Sequence, residues 1–126
     1  QDPSSGTWYQ VTDQGAREGN YLESSATALF IYTLAKAINK GYIVNEYIEP
    51  TQKAFDGMVK TFTRLEEDGS YTITNCCAVA GLGGDSKRYR DGSFEYYISE
   101  PIIENEPKSV GSFILAAIEY EKMTKK

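Results

Sequence analysis

The 126-residue chain contains no histidine, and its only two cysteines are adjacent in the sequence. Without imidazole ligands or a second cysteine pair, a zinc site is not expected, and a catalytic thiol would lack its imidazole base. Neighbouring cysteines rarely bridge each other, because the small ring strains the peptide. We therefore interpret Cys77 as a buried, small, apolar residue, and the sequence predicts no metal or other cofactor.

The chain also lacks a membrane-length apolar run and a basic surface. The apolar-rich residues 26–38 are interrupted by threonine and lysine and fall short of the roughly 18 residues of a membrane span. The net charge is −5, and the basic residues are scattered except at Lys87, Arg88 and Arg90, whereas nucleic-acid binding needs clustered lysine and arginine. We expect neither nucleic acid nor a membrane as a partner.

No signal-peptide pattern and no initiating methionine stand at the start of the sequence. We therefore expect this chain to be part of a longer protein.

Three stretches have the apolar periodicity of helices. Residues 22–38 are apolar on nearly every face, which is typical of a helix surrounded by protein, with Asn20 as the expected N-cap and Glu23 completing a capping box. A second helix, beginning near Pro50 and ending at residues 66–69, has one apolar stripe and one solvated face. A third begins at Pro107 and is again largely enclosed. This order predicts an inner, an outer and another inner helix of stacked α/α hairpins.

A long connection separates the second and third helices. The alternating residues 71–74 predict one short strand at the edge of a hairpin. Residues 75–101 then form a segment too long for a plain connector, with glycines that permit sharp turns and basic residues next to Phe94, Tyr96 and Tyr97. Cations beside aromatic faces suit an acidic sugar. An Ω-loop packed by its own side chains is the alternative.

Blocks of the sequence resemble, in order, the C-terminal part of the unsaturated rhamnogalacturonyl hydrolases of glycoside hydrolase family 105, which is related to family 88. The blocks lie at residues 2–13, 19–43, 46–62 and 106–121, and the long loop belongs to the same resemblance. One departure is Ala78, where the resemblance leads us to expect serine. The resemblance implies a mainly α fold, with residues 1–126 forming a single domain that is the C-terminal segment of an (α/α)6 barrel.

The resemblance also implies a reaction. An aspartate protonates the C4=C5 double bond of a 4,5-unsaturated galacturonyl residue, water adds at C5, and the resulting hemiketal collapses to release the rhamnose-containing product. In that family the catalytic aspartates and the site histidines lie upstream of the blocks found here. We therefore assign no catalytic role to Asp2, Asp13 or Asp91, and we expect the isolated chain to be inactive.

What remains is part of a substrate wall for an unsaturated uronyl oligosaccharide. The candidate substrate-binding residues are Trp8, Tyr9, Glu23, Ser24, Arg88, Tyr89 and Arg90. The two aromatic residues near the start can stack on a sugar ring or simply pack. The residues in the first helical turn can help backbone amides to hold an anion, or Glu23 can serve as a helix cap.

The loop arginines have two interpretations as well. A guanidinium matches a uronate carboxylate in geometry, so Arg88 or Arg90 can bind the substrate. Alternatively, these side chains are solvated or form ion pairs with Asp91 or Glu95. Tyr89 can contact sugar or pack the loop.

Two functions from different classes fit the sequence. The first is a fragment of an unsaturated rhamnogalacturonyl hydrolase, and the alternative is a non-catalytic carbohydrate-binding or assembly module built from the same helices. An upstream half containing tryptophan and histidine would favour the enzyme. Because residues 22–38 are apolar on all sides, we expect them to need a partner, either the missing N-terminal half or further copies of this chain.

Overall fold

The computed structural model describes residues 1–15, 17–84 and 89–125. The long helices are α1 (Ser24–Lys40), α2 (Ile48–Phe62) and α4 (Pro107–Thr124), and α3 (Phe94–Ser99) is short. A 3-10 turn, Asn45–Tyr47, precedes α2. The strands are β1 (Thr63–Leu65), β2 (Tyr71–Ile73), β3 (Cys76–Cys77) and β4 (Ile102–Ile103). The predicted mainly helical fold with a short hairpin is confirmed.

The start of α1 differs from the prediction. Glu23, not Asn20, is the N-cap, and its carboxylate accepts the Ala26 backbone N–H. The residues before it stay extended because Leu22 pairs with Tyr9 in an antiparallel bridge. The Asn20 amide instead holds the backbone of Val11, at 3.2 Å to its N–H and 2.9 Å to its carbonyl. A distant segment therefore moved the helix start beyond the local capping signal.

The second helix ends earlier than predicted, at Phe62. Thr63 is extended, and the Phe62 carbonyl accepts the Thr74 backbone N–H at 2.9 Å. The chain therefore leaves the helix to form β1, which pairs antiparallel with β2 and sets Thr63 opposite Ile73. The predicted short strand at a hairpin is confirmed, and it ends the helix because it competes for the same backbone groups.

Helices α1 and α4 lie side by side and parallel. Near their N-terminal ends the hydroxyls of Ser24 and Ser109 are 2.8 Å apart, and near their C-terminal ends the Asn39 amide donates to the Glu119 carbonyl at 2.9 Å. Small residues at the contact allow the helices to approach closely. Helix α2 contributes the larger side chains of the core. The buried core residues are Ala28, Ile31, Ala54, Met58, Phe62 and Ala116.

Both parallel helices also leave apolar side chains in solvent. These exposed residues are Leu29 and Phe30 on α1 and Ile114, Leu115 and Ile118 on α4, and we call them the exposed apolar set. Within the part of the chain that is described, no helix is long and apolar enough to span a membrane. This chain therefore buries only some of the apolar side chains that surround α1.

The long loop contains more regular structure than predicted. Strands β3 and β4 pair antiparallel near its two ends, with Cys76 opposite Ile103. Between them lies α3, whose start is capped by Ser93 through a 3.1 Å bond from the Tyr96 N–H. A helix of this length carries too few apolar repeats to be recognised from periodicity, so the sequence analysis did not identify it within the predicted loop.

Candidate substrate-binding site

The site is built at the end of the molecule where the parallel helices α1 and α4 both begin. The N-terminal segment reaches this end because the Glu23 N–H donates to the Trp8 carbonyl at 2.9 Å and the Gln10 N–H to the Tyr21 carbonyl at 2.8 Å. The Trp8 N–H donates in turn to the Thr27 hydroxyl at 3.1 Å. The backbone of Trp8 and Tyr9 is therefore fixed against the first turn of α1.

The two aromatic side chains line a hollow of about 340 Å³. Its other lining residues are Gln1, Asp2, Pro3, Thr12 and Gly15. Both aromatic residues are half-buried, and the Trp8 ring also contacts Phe30 edge to face at 5.0 Å. An aromatic plane in a partly polar hollow has the chemistry needed to hold a sugar ring.

The carboxylate in this hollow is already engaged. Asp2 accepts the Ser5 N–H at 2.7 Å and the Ser5 hydroxyl at 2.8 Å. These bonds, the backbone one first, hold the pKa of Asp2 below its ordinary value. Asp2 is therefore an ionised turn residue, which is unsuited to donating a proton.

Glu23 and Ser24 have partners inside the protein. Glu23 is 1% exposed, and its carboxylate accepts the Ala26 N–H at 2.6 Å, the Ser25 hydroxyl at 2.8 Å and the Cys77 N–H at 3.0 Å. The Ser24 N–H donates to the Asn75 carbonyl at 3.0 Å. Two amides of the first turn are thus occupied by the protein itself, and Glu23 has the capping role that was one of its two interpretations.

The tip of the loop is organised around Arg90. Its backbone pairs with Gly83 in both directions, at 2.8 and 3.0 Å, and its Nε–H donates to the same glycine carbonyl at 3.0 Å. A side chain at position 81 would begin 2.9 Å from the guanidinium, so Gly81 allows Arg90 to lie across the turn. Tyr89 is 70% exposed, while Arg88 lies outside the described residues.

The acidic residues next to Arg90 on the loop, Asp91 and Glu95, bind other groups. Asp91 accepts the Ser93 N–H and hydroxyl at 2.9 and 2.7 Å, which lowers the pKa of Asp91. Glu95 forms an ion pair with Arg17 instead. The Arg17 guanidinium also lies 3.9 Å from the centre of the Phe94 ring. This contact joins the N-terminal segment to α3.

The sequence analysis missed Lys108. This side chain lies in the first turn of α4, and its ammonium donates to the carbonyls of Cys77 and Ala78, the second at 2.9 Å. Partial burial acts to lower the pKa of Lys108, but the contacts with Cys76 and Glu106 outweigh it and raise the pKa. A lysine at the positive end of a helix is electrostatically unfavourable, and that anomaly was the available signal.

The cysteines are buried and unbridged. Burial, followed by the nearby Glu23 carboxylate, raises the pKa of the Cys76 thiol. Burial and the neighbouring Cys77 also raise the pKa of Tyr21 far above its usual range. A buried Cys76 thiol with a raised pKa is a poor nucleophile. Among the described residues no group of histidine, cysteine, aspartate or glutamate side chains could hold a metal ion.

The sequence model of Glycosyl Hydrolase Family 88 matches residues 1–124. Protein Atu3128 of Agrobacterium fabrum is 36% identical over 118 residues, which cover 90% of this chain and 51% of that protein. A family 105 glycoside hydrolase of C. acetobutylicum superimposes with a TM-score of 0.92 at 47% identity, over 96% of this chain and 33% of that one. A possible family 105 member from Salmonella enterica gives a TM-score of 0.75 at 26% identity, over 99% of this chain and 28% of its own. The chain thus spans about half of the first relative and about a third of the solved structures.

Proposed function

Because the chain belongs to Glycosyl Hydrolase Family 88, we propose that it is part of a hydrolase that removes 4,5-unsaturated galacturonyl residues from rhamnogalacturonan oligosaccharides. The observation that carries this proposal is that 96% of this chain superimposes on the C. acetobutylicum family 105 enzyme with a TM-score of 0.92. The reaction is hydration of the C4=C5 double bond, followed by collapse of the hemiketal.

In this proposal the chain supplies binding rather than the acid. The carboxylates at the site end that we have described are held by their own neighbours, Asp2 by Ser5 and Glu23 by Ala26 and Cys77. The bonds from Ser5 hold the pKa of Asp2 below its ordinary value, so Asp2 is a poor proton donor, and Glu23 is only 1% exposed. The proton donor is therefore expected from another part of the parent enzyme.

The chain's own residues have distinct roles. Trp8 and Tyr9 offer an aromatic wall on their hollow for a sugar ring. Arg90, together with Arg88, supplies positive charge for the uronate carboxylate, and Tyr89 extends the wall from the loop. Glu23 and Ser24 act on the substrate indirectly, because each is bound within the protein.

The partner of the exposed apolar set follows from the same proposal. In the parent enzyme the remaining barrel helices cover these side chains. In the isolated chain a second copy does so, because burying apolar area gains roughly 25 cal/mol per Å².

A chimaera tests the function. This chain replaces the matching third of the C. acetobutylicum hydrolase, and the substrate is an unsaturated galacturonyl–rhamnose disaccharide. Loss of the ultraviolet absorbance of its double bond reports hydration. We expect the chimaera to consume the substrate and the isolated chain to leave it unchanged. Consumption by the isolated chain would show that it carries its own acid.

Controls separate the substrate from the fold. An unsaturated glucuronyl disaccharide serves as the competing substrate, and preference of the folded chimaera for it would contradict the proposed specificity. Trp8→Ala should raise KM for the galacturonyl substrate, whereas Tyr71→Ala, at an exposed aromatic residue on the hairpin, should not.

A further inference from the structure

The loop root, by which we mean Cys77 and Ala78 at the start of the long loop, is held in an unusual way. Strand β3 pairs with β4 on one edge only, and on its other edge no third strand is present within the described chain. Instead, the Cys77 N–H donates to the Glu23 carboxylate at 3.0 Å, and the Cys77 carbonyl accepts from the Lys108 ammonium. The backbone N–H and carbonyl of a single residue on this open edge are thus paired with a carboxylate and with a cation, respectively.

The next residue is held as firmly. The Ala78 N–H donates to the Pro101 carbonyl at 2.8 Å, and the Ala78 carbonyl accepts from Lys108 at 2.9 Å. All four backbone polar groups of Cys77 and Ala78 are therefore paired, and three of them bind the side chain of Glu23 or Lys108. This is unusual, because most protein hydrogen bonds of backbone groups are to other backbone groups.

Immediately beyond this point the loop enters solvent. Val79 is exposed, Leu82 is 69% exposed, and Gly83 pairs with Arg90 at the tip. Between Ala78 and Gly83 the loop is anchored by the Gly81 N–H, which donates to the Tyr96 hydroxyl at 3.2 Å. Because Gly83 pairs with the Arg90 backbone, a shift of Cys77 and Ala78 would be passed along these few residues to Arg90.

Glu23 and Lys108 are both energetically unfavourable at their positions if their only role is in the helices. A buried carboxylate pays a large desolvation cost, and serine or threonine would cap α1 as well. Lys108 stands at the helix end that disfavours cations, where Glu106 offsets it at 3.3 Å. Their contacts with the loop root account for both.

We propose that Glu23 and Lys108 are positioning residues that clamp the Cys77–Ala78 backbone and so place the loop tip and Arg90 at the substrate. Neither touches the sugar. This inference rests on the proposed function and explains how this chain would hold Arg90 in place for substrate binding.

Hydrogen exchange on the full chain tests the clamp without any enzymatic assay. Lys108→Met should speed amide exchange in residues 77–84, while exchange in α1 and α2 stays unchanged. Lys108→Arg, which keeps a donor, should restore most of the protection. Lys122→Met is the matched control, because it makes the same change in the last turn of the same helix, where its partner is Glu119. Unchanged exchange in Lys108→Met, or equal effects of Lys108→Met and Lys122→Met on residues 77–84, would overturn the clamp.

Kinetics of the chimaera test whether the clamp affects substrate binding. We expect Lys108→Met and Glu23→Gln to lower kcat/KM by about tenfold to a hundredfold, as misplaced binding groups do, chiefly by raising KM. Lys108→Arg should recover most of the loss. A fall in kcat with unchanged KM would refute a positioning role through substrate binding. An inactive parent chimaera would count against the proposed function alone, since the exchange result still decides whether the clamp exists.

Discussion

The two sides of α1 are similar in apolar composition but differ in what covers them. On one side Ile31 is fully buried between α2 and α4, together with Ala28 and Ala35. On the other side Leu29 is 47% exposed and Phe30 also reaches solvent. Hydrophobicity alone therefore does not say where this helix gains its stability. The covered side stabilises the chain, and the uncovered side is available for assembly.

The largest expected effect comes from truncating a side chain on the covered side. Ile31→Ala should lower the free energy of unfolding by about 2–4 kcal/mol, because it removes buried methyl groups and leaves a cavity. The matched change on the other side, Leu29→Ala, should cost less than about 1 kcal/mol, because that side chain is half in solvent. Urea unfolding at low protein concentration measures both. Equal losses would mean that a partner covers Leu29 even in the dilute chain.

The next effect concerns assembly through the uncovered side. We expect the purified chain to self-associate as a symmetric dimer or a larger ring at tens of micromolar, since exposed apolar patches of a few hundred Å² usually find a partner. Light scattering measures it. Phe30→Ser combined with Ile118→Ser should weaken the association, whereas Leu65→Ser, at an exposed residue of the hairpin, should not.

A clean monomer near 14.1 kDa with a cooperative melt would contradict this expectation. It would mean that the three long helices bury enough of their own surface, and that the comparison between the two sides of α1 has no consequence in solution.

The smallest effect comes from the polar end of the covered side. Glu119 accepts Lys122 Nζ at 2.9 Å and the Asn39 amide at 3.1 Å, and these bonds, that of Lys122 first, hold the pKa of Glu119 below its ordinary 4.5. A lowered folded-state pKa stabilises the native chain above pH 4.5, and that contribution disappears as the pH falls through the folded-state value.

Lys122→Met should therefore lower stability slightly at neutral pH, and the gap from the unmodified chain should close as the pH falls below about 4.5. Lys40→Met, which removes an exposed charge in the last turn of α1, is the control. The free energy of unfolding, measured from pH 7 to pH 3, tests this prediction. If the difference between the variant and the unmodified chain grows toward acidic pH, the pKa of Glu119 is not lowered by Lys122.

Much of the fold was predictable because its signals are local. Pro107 marked the start of α4, the stripe of α2 marked its buried face, and alternation marked β2. The errors arose where a distant segment competed with a local signal. Asn20 lost its capping role to Glu23 because Tyr9 holds the preceding residues extended, and α2 ended early because Thr74 takes the Phe62 carbonyl.

The candidate site was predictable in part. The resemblance pointed to Trp8, Tyr9 and Arg90, and the structure places the aromatic pair on a hollow and Arg90 across a glycine turn. Their contact with sugar stays a prediction. The position of Lys108 in the first turn of a helix was the only local signal, and it does not indicate that the ammonium reaches carbonyls about thirty residues away.

The sequence by itself determined which faces of the helices are apolar, because periodicity depends only on neighbours within a few turns. Only the tertiary structure decided which apolar side of α1 is covered and which carboxylate caps it. The Cys77 N–H that holds Glu23 comes from 54 positions away, and the Ser109 hydroxyl that meets Ser24 comes from 85. Such partners are brought together by the packing of whole helices, and local sequence patterns carry no information about that distance.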